Sequence, residues 1–197
     1  MRRRYVIIWI FRSSTHRTVF LREWADVLPN RKLIDIVGKL RREIPDIVLR
    51  TTLITGFPGE TEEDHEELKE FVDEMEFDRL GVFTYSPEEN TPAAEMADQV
   101  PEEVKEERRD ELMELQQEIS YDRGQDRIGQ ELLVMIEGKV ADESAYIGRT
   151  YGDAPKVDGY IFVQTGELLM TGDFAKVRVT GALEYDLIGV LSDEYTE

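Results

Sequence analysis

The spacing of apolar residues changes along the chain from a helical period to a strand-like one. Between residues 31 and 127, apolar side chains recur every three or four positions in three stretches, and two short runs rich in β-branched residues separate those stretches. The pattern predicts a helix that ends at Pro45, a buried strand over 47–55, a helix after Thr61, a strand over 79–85 and a long charged helix over 101–127. Helices alternating with buried strands are typical of an α/β fold with parallel strands.

Beyond Gly129 the apolar residues alternate with polar ones, as they do in half-buried strands. Turns rich in glycine and aspartate separate five such segments, which cover 131–137, 145–151, 160–164, 175–180 and 185–191. Five strands within about 65 residues predict a small closed or nearly closed β-barrel. We therefore expect an α/β region over 31–128, including the linking helix, and an all-β domain over 129–197.

Residues 1–30 fit neither pattern. Three arginines precede the apolar run Tyr5–Phe11, which is too short to span a bilayer and is followed by no small-residue cleavage site. We expect this run to be a buried strand or a stretch foreign to the native fold, and we do not expect a signal peptide.

Composition limits the chemistry that these 197 residues can perform. The sequence contains no cysteine and two histidines, so it offers no disulfide, no thiol nucleophile, no cysteine-ligated cluster and no histidine-rich metal site. The net charge of −19 is distributed unevenly, with +7 on residues 1–50, −18 on 51–130 and −8 on 131–197. Such a charge disfavours non-specific binding to nucleic acid and favours a basic protein partner.

The most specific local feature is the glycine turn that follows the strand over 47–55. Gly56, Pro58, Gly59 and Glu60 lie between this strand and the next helix, where backbone N–H groups bind ligands in barrel and doubly wound folds. The alternative is a tight turn whose glycines only supply positive φ angles. Likewise, Glu60 could orient a ligand amine or simply stabilise the helix dipole.

Three other positions could contribute to the same end of the sheet. Arg50 interrupts an apolar strand and could bind a carboxylate, or it could form a structural ion pair. Tyr85 and Ser86 end the following strand and should face the same sheet edge as Gly56. The acidic run 62–67 is interpreted as a solvated helix face, and His65 within it has no partner in the sequence that suggests catalysis.

A loop between two barrel strands contains the other candidate residues. Asp153 and Asp158 flank a proline there, beside Arg149 and Tyr151, although Asp158-Gly159 is also an ordinary turn signal. The barrel has only five basic residues, whereas barrels that bind oligonucleotides usually present a basic, aromatic face. We therefore expect this domain to bind a basic protein, and we expect RNA to be a poorer ligand.

Several segments resemble one enzyme family. Residues 44–61, 77–86 and 114–120 are similar to the C-terminal half of the radical-SAM methylthiotransferases, and the tail resembles their TRAM domain, a small five-stranded barrel. The loop Asp-Ala-Pro-Lys-Val-Asp-Gly over 153–159, with 172–177 and 184–189, is similar to the RimO-like branch of this family. That branch modifies an aspartate of the twelfth small-subunit ribosomal protein. The resemblance covers about residues 31–192. It implies that the α/β region is the last strand–helix units of a partial (β/α) barrel, followed by the long charged helix and a small five-stranded TRAM/OB-like β-barrel.

The resemblance implies S-adenosylmethionine and two 4Fe-4S clusters as cofactors, and a cytoplasmic enzyme with a basic ribosomal protein as substrate. The family's cluster-binding cysteines are absent from this sequence, so we expect a fragment that is inactive by itself and has no catalytic or metal-ligating residue of its own. The resemblance places the cofactor near Arg50, Thr52, Gly56, Pro58, Gly59, Glu60, Tyr85 and Ser86. It places the substrate near Arg149, Tyr151, Asp153 and Asp158.

Two alternatives remain open at this stage. The chain could be a fragment of the tRNA-modifying branch of the family, although that branch usually lacks the Asp-Ala-Pro-x-Val-Asp-Gly pattern. It could also be a non-catalytic module that binds a partner through the TRAM barrel alone.

Overall fold

The computed structural model describes residues 6–11, 19–21, 30–44 and 46–192. They form two compact units, Met1–Ile119 and Ser120–Glu197, and the boundary falls within a long helix. The boundary between the α/β region and the barrel domain, which the sequence predicted at residue 129, stays a prediction.

The first unit contains a four-stranded sheet and three helices. In chain order the elements are β1 (Val6–Phe11), β2 (Val19–Leu21), α1 (Asn30–Glu43), β3 (Val48–Thr55), α2 (Glu62–Met75), β4 (Arg79–Thr84) and α3 (Glu102–Gln125). The strand order is β2-β1-β3-β4. The parallel β3–β4 pair confirms the α/β prediction, whereas β1 pairs antiparallel with both β2 and β3. The predicted strand within Tyr5–Phe11 is therefore present, and β2 was not predicted.

The helices pack against one face of β3 and β4, because alternate residues of these strands point towards them. Leu49 and Leu53 of β3 are almost fully buried and join a core that includes Phe77, between α2 and β4, and Leu112 of α3. α2 begins with the predicted capping box, in which the Thr61 side chain and the helix's third residue each accept a backbone N–H. This core fixes the carboxyl ends of β3 and β4 side by side.

The second unit contains the predicted barrel, and it is closed. Its strands are β5 (Glu131–Lys139), β6 (Ala145–Arg149), β7 (Ile161–Gln164), β8 (Phe174–Ala182) and β9 (Leu187–Leu191), in the order β5-β6-β7-β9-β8. All neighbouring strands are antiparallel except β7 and β9, which are parallel. The inward-facing residues are mainly β-branched, and eight of them form the buried core: Val134, Ile136, Tyr146, Ile161, Val163, Ala175, Val177 and Val179.

Candidate functional site

The glycine turn lies at the carboxyl end of β3, next to the end of β4. Tyr85 donates its backbone N–H to the carbonyl of Thr55 at 2.9 Å, which brings together the two strand ends that the sequence predicted to share an edge. Gly56 and Gly59 have φ angles of 73° and 84°, a conformation that residues with a side chain rarely adopt. Pro58 is buried, whereas Gly59 and Ser86 are exposed.

Glu60 closes this turn with its own carboxylate. Its oxygens accept the backbone N–H of Gly56 at 3.0 Å and face the Thr55 hydroxyl at 3.3 Å. The Nη1 atom of Arg108, which lies on α3, donates to Glu60 Oε1 at 2.8 Å. Only 13% of the Glu60 side chain is exposed, so the carboxylate is largely removed from water. The Gly56 N–H is thus satisfied within the turn.

A second cation from α3 covers the same strand ends. The ammonium of Lys105 donates to the carbonyl of Tyr85 at 2.9 Å and to Glu102 at 3.0 Å. The Lys105 side chain is 5% exposed, and a methyl group on Gly56 would overlap its Cγ atom. Gly56 is therefore required both for its φ angle and for the close approach of α3.

Aromatic rings form an apolar wall beside these polar groups. Phe57 and Tyr85 meet edge to face with their ring centroids 5.1 Å apart, and the Lys105 ammonium lies 5.5 Å from the centroid of the Tyr85 ring. The Tyr85 hydroxyl is buried, with no hydrogen-bond partner among the described residues. Sequence analysis predicted Tyr85 at this edge but missed Lys105 and Arg108. In the sequence these two are distinguished only as basic residues three positions apart on an acidic helix.

The remaining candidates on β3 lie away from the turn. Arg50 is paired in register with Arg79 of β4, and Thr52 with Gly81, on the sheet face opposite Leu49 and Leu53. Arg50 precedes Thr55 by five positions, which is about 16 Å along an extended strand. The structure therefore does not bring Arg50 together with Glu60.

His65 has a structural partner that the sequence did not reveal. Its ring is buried, and Nε2 lies 3.0 Å from Oε2 of Glu111 on α3, which also accepts the Lys69 ammonium at 3.0 Å. The hydrogen bonds from His65 and then Lys69 hold the pKa of Glu111 below its ordinary value. Four of the six residues in the acidic run are exposed, as expected of a solvated face, and the other two, Asp64 and His65, are buried.

The barrel loop holds its two aspartates against its own backbone. Asp153 accepts the backbone N–H of Thr150 at 2.9 Å, and Asp158 accepts that of Ala154 at 2.6 Å. Arg149, at the end of β6, donates to Glu137 at 2.6 Å. Tyr151 is 44% exposed, so it is the most accessible of the four predicted substrate residues.

One outer face of the barrel combines basic and apolar residues. The strand register places Arg149 and Phe174 opposite Met135, Lys176 opposite Leu133, and Arg178 opposite Glu131. Because residues directly opposite one another share a face, three of the five basic residues of the barrel lie together beside the exposed Phe174 and Leu133. Arg149 and Arg178 are paired with carboxylates on this face, so its charge is partly offset.

Two broader properties follow from the described part of the chain. No helix in it is both long and apolar enough to cross a membrane. Within the same residues, no three acidic or histidine side chains form a group that could hold a metal ion.

Comparison with known proteins found relatives that match most of the chain. The family model for the TRAM domain matches residues 128–191. The ribosomal protein uS12 methylthiotransferase RimO of Lachnoclostridium phytofermentans is 62% identical over 160 residues, which are 81% of this chain and 36% of that protein. RimO of Desulfitobacterium hafniense is 52% identical over 159 residues, and RimO of Pelotomaculum thermopropionicum is 56% identical over 155 residues, with similar coverage. The chain thus spans about a third of the length of these relatives. Over about four fifths of its own length the chain is therefore similar to these RimO proteins, and its residues 128–191 match the TRAM domain.

Proposed function

We propose that this chain is the part of a RimO-like methylthiotransferase that combines one edge of the S-adenosylmethionine site with the TRAM barrel. The observation that carries this proposal is the 62% identity to a RimO protein over 160 residues. The activity would be methylthiolation of an aspartate on ribosomal protein uS12 in the cytoplasm. The chain covers only 36% of the length of that relative. The activity of the whole enzyme is therefore proposed here from similarity.

The residues present do not fit the iron–sulfur clusters of this family. Such clusters are held by cysteine thiolates, and this sequence contains none. We infer that the chain by itself does not cleave S-adenosylmethionine. After anaerobic incubation with iron, sulfide and a reductant, release of 5′-deoxyadenosine by the purified chain would contradict this inference.

The strand ends of the first unit are our proposed contact with S-adenosylmethionine, which supplies the reactive group in this family. The turn Gly56–Glu60 would bring backbone close to the ligand, and Thr52 lies on β3, the strand that leads into this turn. Tyr85 and Phe57 form an apolar wall of the kind that lines small-molecule sites. Ser86 is exposed next to that wall. Arg50 remains a candidate for the ligand carboxylate only if the ligand extends along β3.

The loop after β6 is our proposed contact with uS12. Hydrogen bonds from Thr150 and Ala154 fix the positions of Asp153 and Asp158, so the loop presents a defined surface around Tyr151. A rigid loop loses little conformational entropy on binding, and ribosomal proteins are typically basic, which suits a chain of net charge −19.

A binding experiment with purified uS12 tests this contact. Tyr151→Ala should weaken binding about tenfold, the loss typical of an exposed aromatic anchor. Tyr121→Ala is a matched control, because Tyr121 is 43% exposed and lies outside the loop. Equal affinities of the two variants would exclude the loop as the contact, and the absence of any uS12 binding would argue against the proposed substrate.

RNA is a second candidate ligand of the barrel because of the face that carries Arg149, Lys176, Arg178 and Phe174. Basic and aromatic residues on one strand face are the usual requirement for binding single-stranded RNA. A tRNA mobility-shift assay at several salt concentrations tests this candidate. Lys176→Gln should reduce the salt dependence by about one unit of slope, and Lys156→Gln, in the loop, should leave it unchanged. Equal salt slopes for the Lys176→Gln and Lys156→Gln variants would exclude this face as an RNA-binding site.

A further inference from the structure

Arg108 and Lys105 lie one helical turn apart on α3, and each binds one of the two strand ends at the candidate cofactor site. Arg108 reaches the end of β3 through the Glu60 carboxylate, and Lys105 reaches the end of β4 through the Tyr85 carbonyl. We propose that Arg108 is a positioning residue, which holds Glu60 so that the turn Gly56–Glu60 keeps the shape that binds S-adenosylmethionine. This inference rests on the proposed function.

The contact between Arg108 and Glu60 is well protected from water. The two side chains are 7% and 13% exposed, so the pair is much less screened than a surface ion pair. The planar guanidinium also binds a second carboxylate, with Nη2 donating to Glu62 at 3.0 Å. One arginine therefore bridges the last residue of the turn and the first residue of α2, a geometry that a lysine cannot reproduce.

The Glu60 carboxylate links Arg108 to the backbone of the turn. Its second carboxylate oxygen accepts the Gly56 N–H at 3.0 Å, so Arg108 and Gly56 are joined through a single side chain. Gly59 donates its N–H to the carbonyl of Asp98 at 2.8 Å, which anchors the other glycine to the segment that precedes α3. Without Arg108, the Glu60 carboxylate would lose its buried countercharge and would turn towards water.

Lys105 of α3 packs against the same turn. Its aliphatic stem packs directly against Gly56, and its ammonium is held by the Tyr85 carbonyl and Glu102. Gly56 therefore lies between the Glu60 carboxylate and the aliphatic stem of Lys105. Arg108 acts through Glu60 and does not itself need to touch the ligand.

The test compares Arg108→Gln with Arg109→Gln in the full chain. Arg109 is the adjacent residue on the same helix, but its partner is the neighbouring Asp110 and its side chain is 37% exposed. Two quantities are measured at a temperature where both variants are folded: the hydrogen-exchange rate of the Gly56 amide and the affinity for S-adenosylhomocysteine, an unreactive analogue.

We expect Arg108→Gln to accelerate exchange at Gly56 and to weaken analogue binding, each by about tenfold or more. We expect Arg109→Gln to change both by less than about twofold. Exchange at Leu53 of β3 and Val72 of α2, both in the buried core, should be unaltered by either variant, because a general loss of stability would accelerate exchange everywhere. If Arg108→Gln does not fold, Arg108→Lys replaces it, with a smaller effect in the same direction.

Two negative results have different meanings. If Gly56 exchanges at the wild-type rate in Arg108→Gln, or if all core amides accelerate equally, the positioning role of Arg108 is overturned. If the wild-type chain does not bind the analogue, the proposed cofactor site fails, whereas the exchange data still decide whether Arg108 holds the turn.

Discussion

Gly148 faces the interior of the barrel at a point where no side chain fits. It lies on β6 opposite Ile136, and a methyl group on it would be 2.5 Å from Cγ1 of Val134 and 2.8 Å from the carbonyl oxygen of Met135. Carbon atoms in contact are normally about 3.5–4.0 Å apart. Val134 is fully buried and Met135 contributes backbone, so neither neighbour can move away easily. We predict that Gly148→Ala selectively destabilises the second unit.

The size of the effect follows from the cost of overpacking a core. Extra methyl groups in well-packed interiors cost about 1–3 kcal/mol, and two contacts this short suggest the upper part of that range. For a unit of this size each kcal/mol lowers the midpoint of thermal unfolding by roughly 4–8 °C. β6 leads directly into the candidate uS12 loop. Binding of uS12 by Gly148→Ala should therefore be lost at the same lowered temperature at which the second unit unfolds.

The assay is thermal unfolding of the full chain, followed by the NMR amide signals of buried barrel residues such as Val163. Gly166→Ala is the control, because nothing lies within 4 Å of a methyl group at that position. Replacing Val134 by alanine in the Gly148→Ala background removes one of the two close contacts, so the two substitutions should cost less than the sum of their separate effects. Equal midpoints for Gly148→Ala and Gly166→Ala would refute this reasoning.

Three further predictions concern the first unit. His65 and Lys69 lower the pKa of Glu111, so this carboxylate stabilises the fold at neutral pH and the contribution disappears as the pH falls through the lowered pKa. Glu111→Gln should therefore flatten the acid side of a stability–pH curve, and an unchanged curve would contradict the assignment. Leu112→Ala should cost about 2–5 kcal/mol in urea unfolding, because the side chain is fully buried; a cost below about 1 kcal/mol would be inconsistent with that burial. Thr61→Ala removes one half of the capping box and should cost about 0.5–2 kcal/mol, with Thr61→Ser recovering most of it.

The sequence alone determined most of the secondary structure. Apolar spacing located α1, α2 and α3 to within a few residues, and the β-branched run over 47–55 correctly indicated a buried strand. Alternation beyond Gly129 gave all five barrel strands. These features are local: the period of apolar residues directly reflects which face of a helix or strand is buried.

Sequence analysis also located the glycine turn and the resemblance of both parts of the chain to RimO-like proteins. It did not predict β2, the antiparallel placement of β1, or the parallel pairing of β7 with β9. Strand pairing depends on residues far apart in the chain, and the period of a single strand carries no information about its neighbour.

Only the tertiary structure decided how the candidate site is held together. Glu60 and Arg108 are 48 positions apart, yet their side chains form a buried ion pair that closes the turn. His65 and Glu111 are 46 positions apart and form a hydrogen bond, although the Glu111 side chain is 42% exposed. From the sequence, Lys105 and Arg108 were ordinary charges on an acidic helix. Folding places these two cations against the strand ends, because their α3 face also carries Leu112, which must be buried in the core.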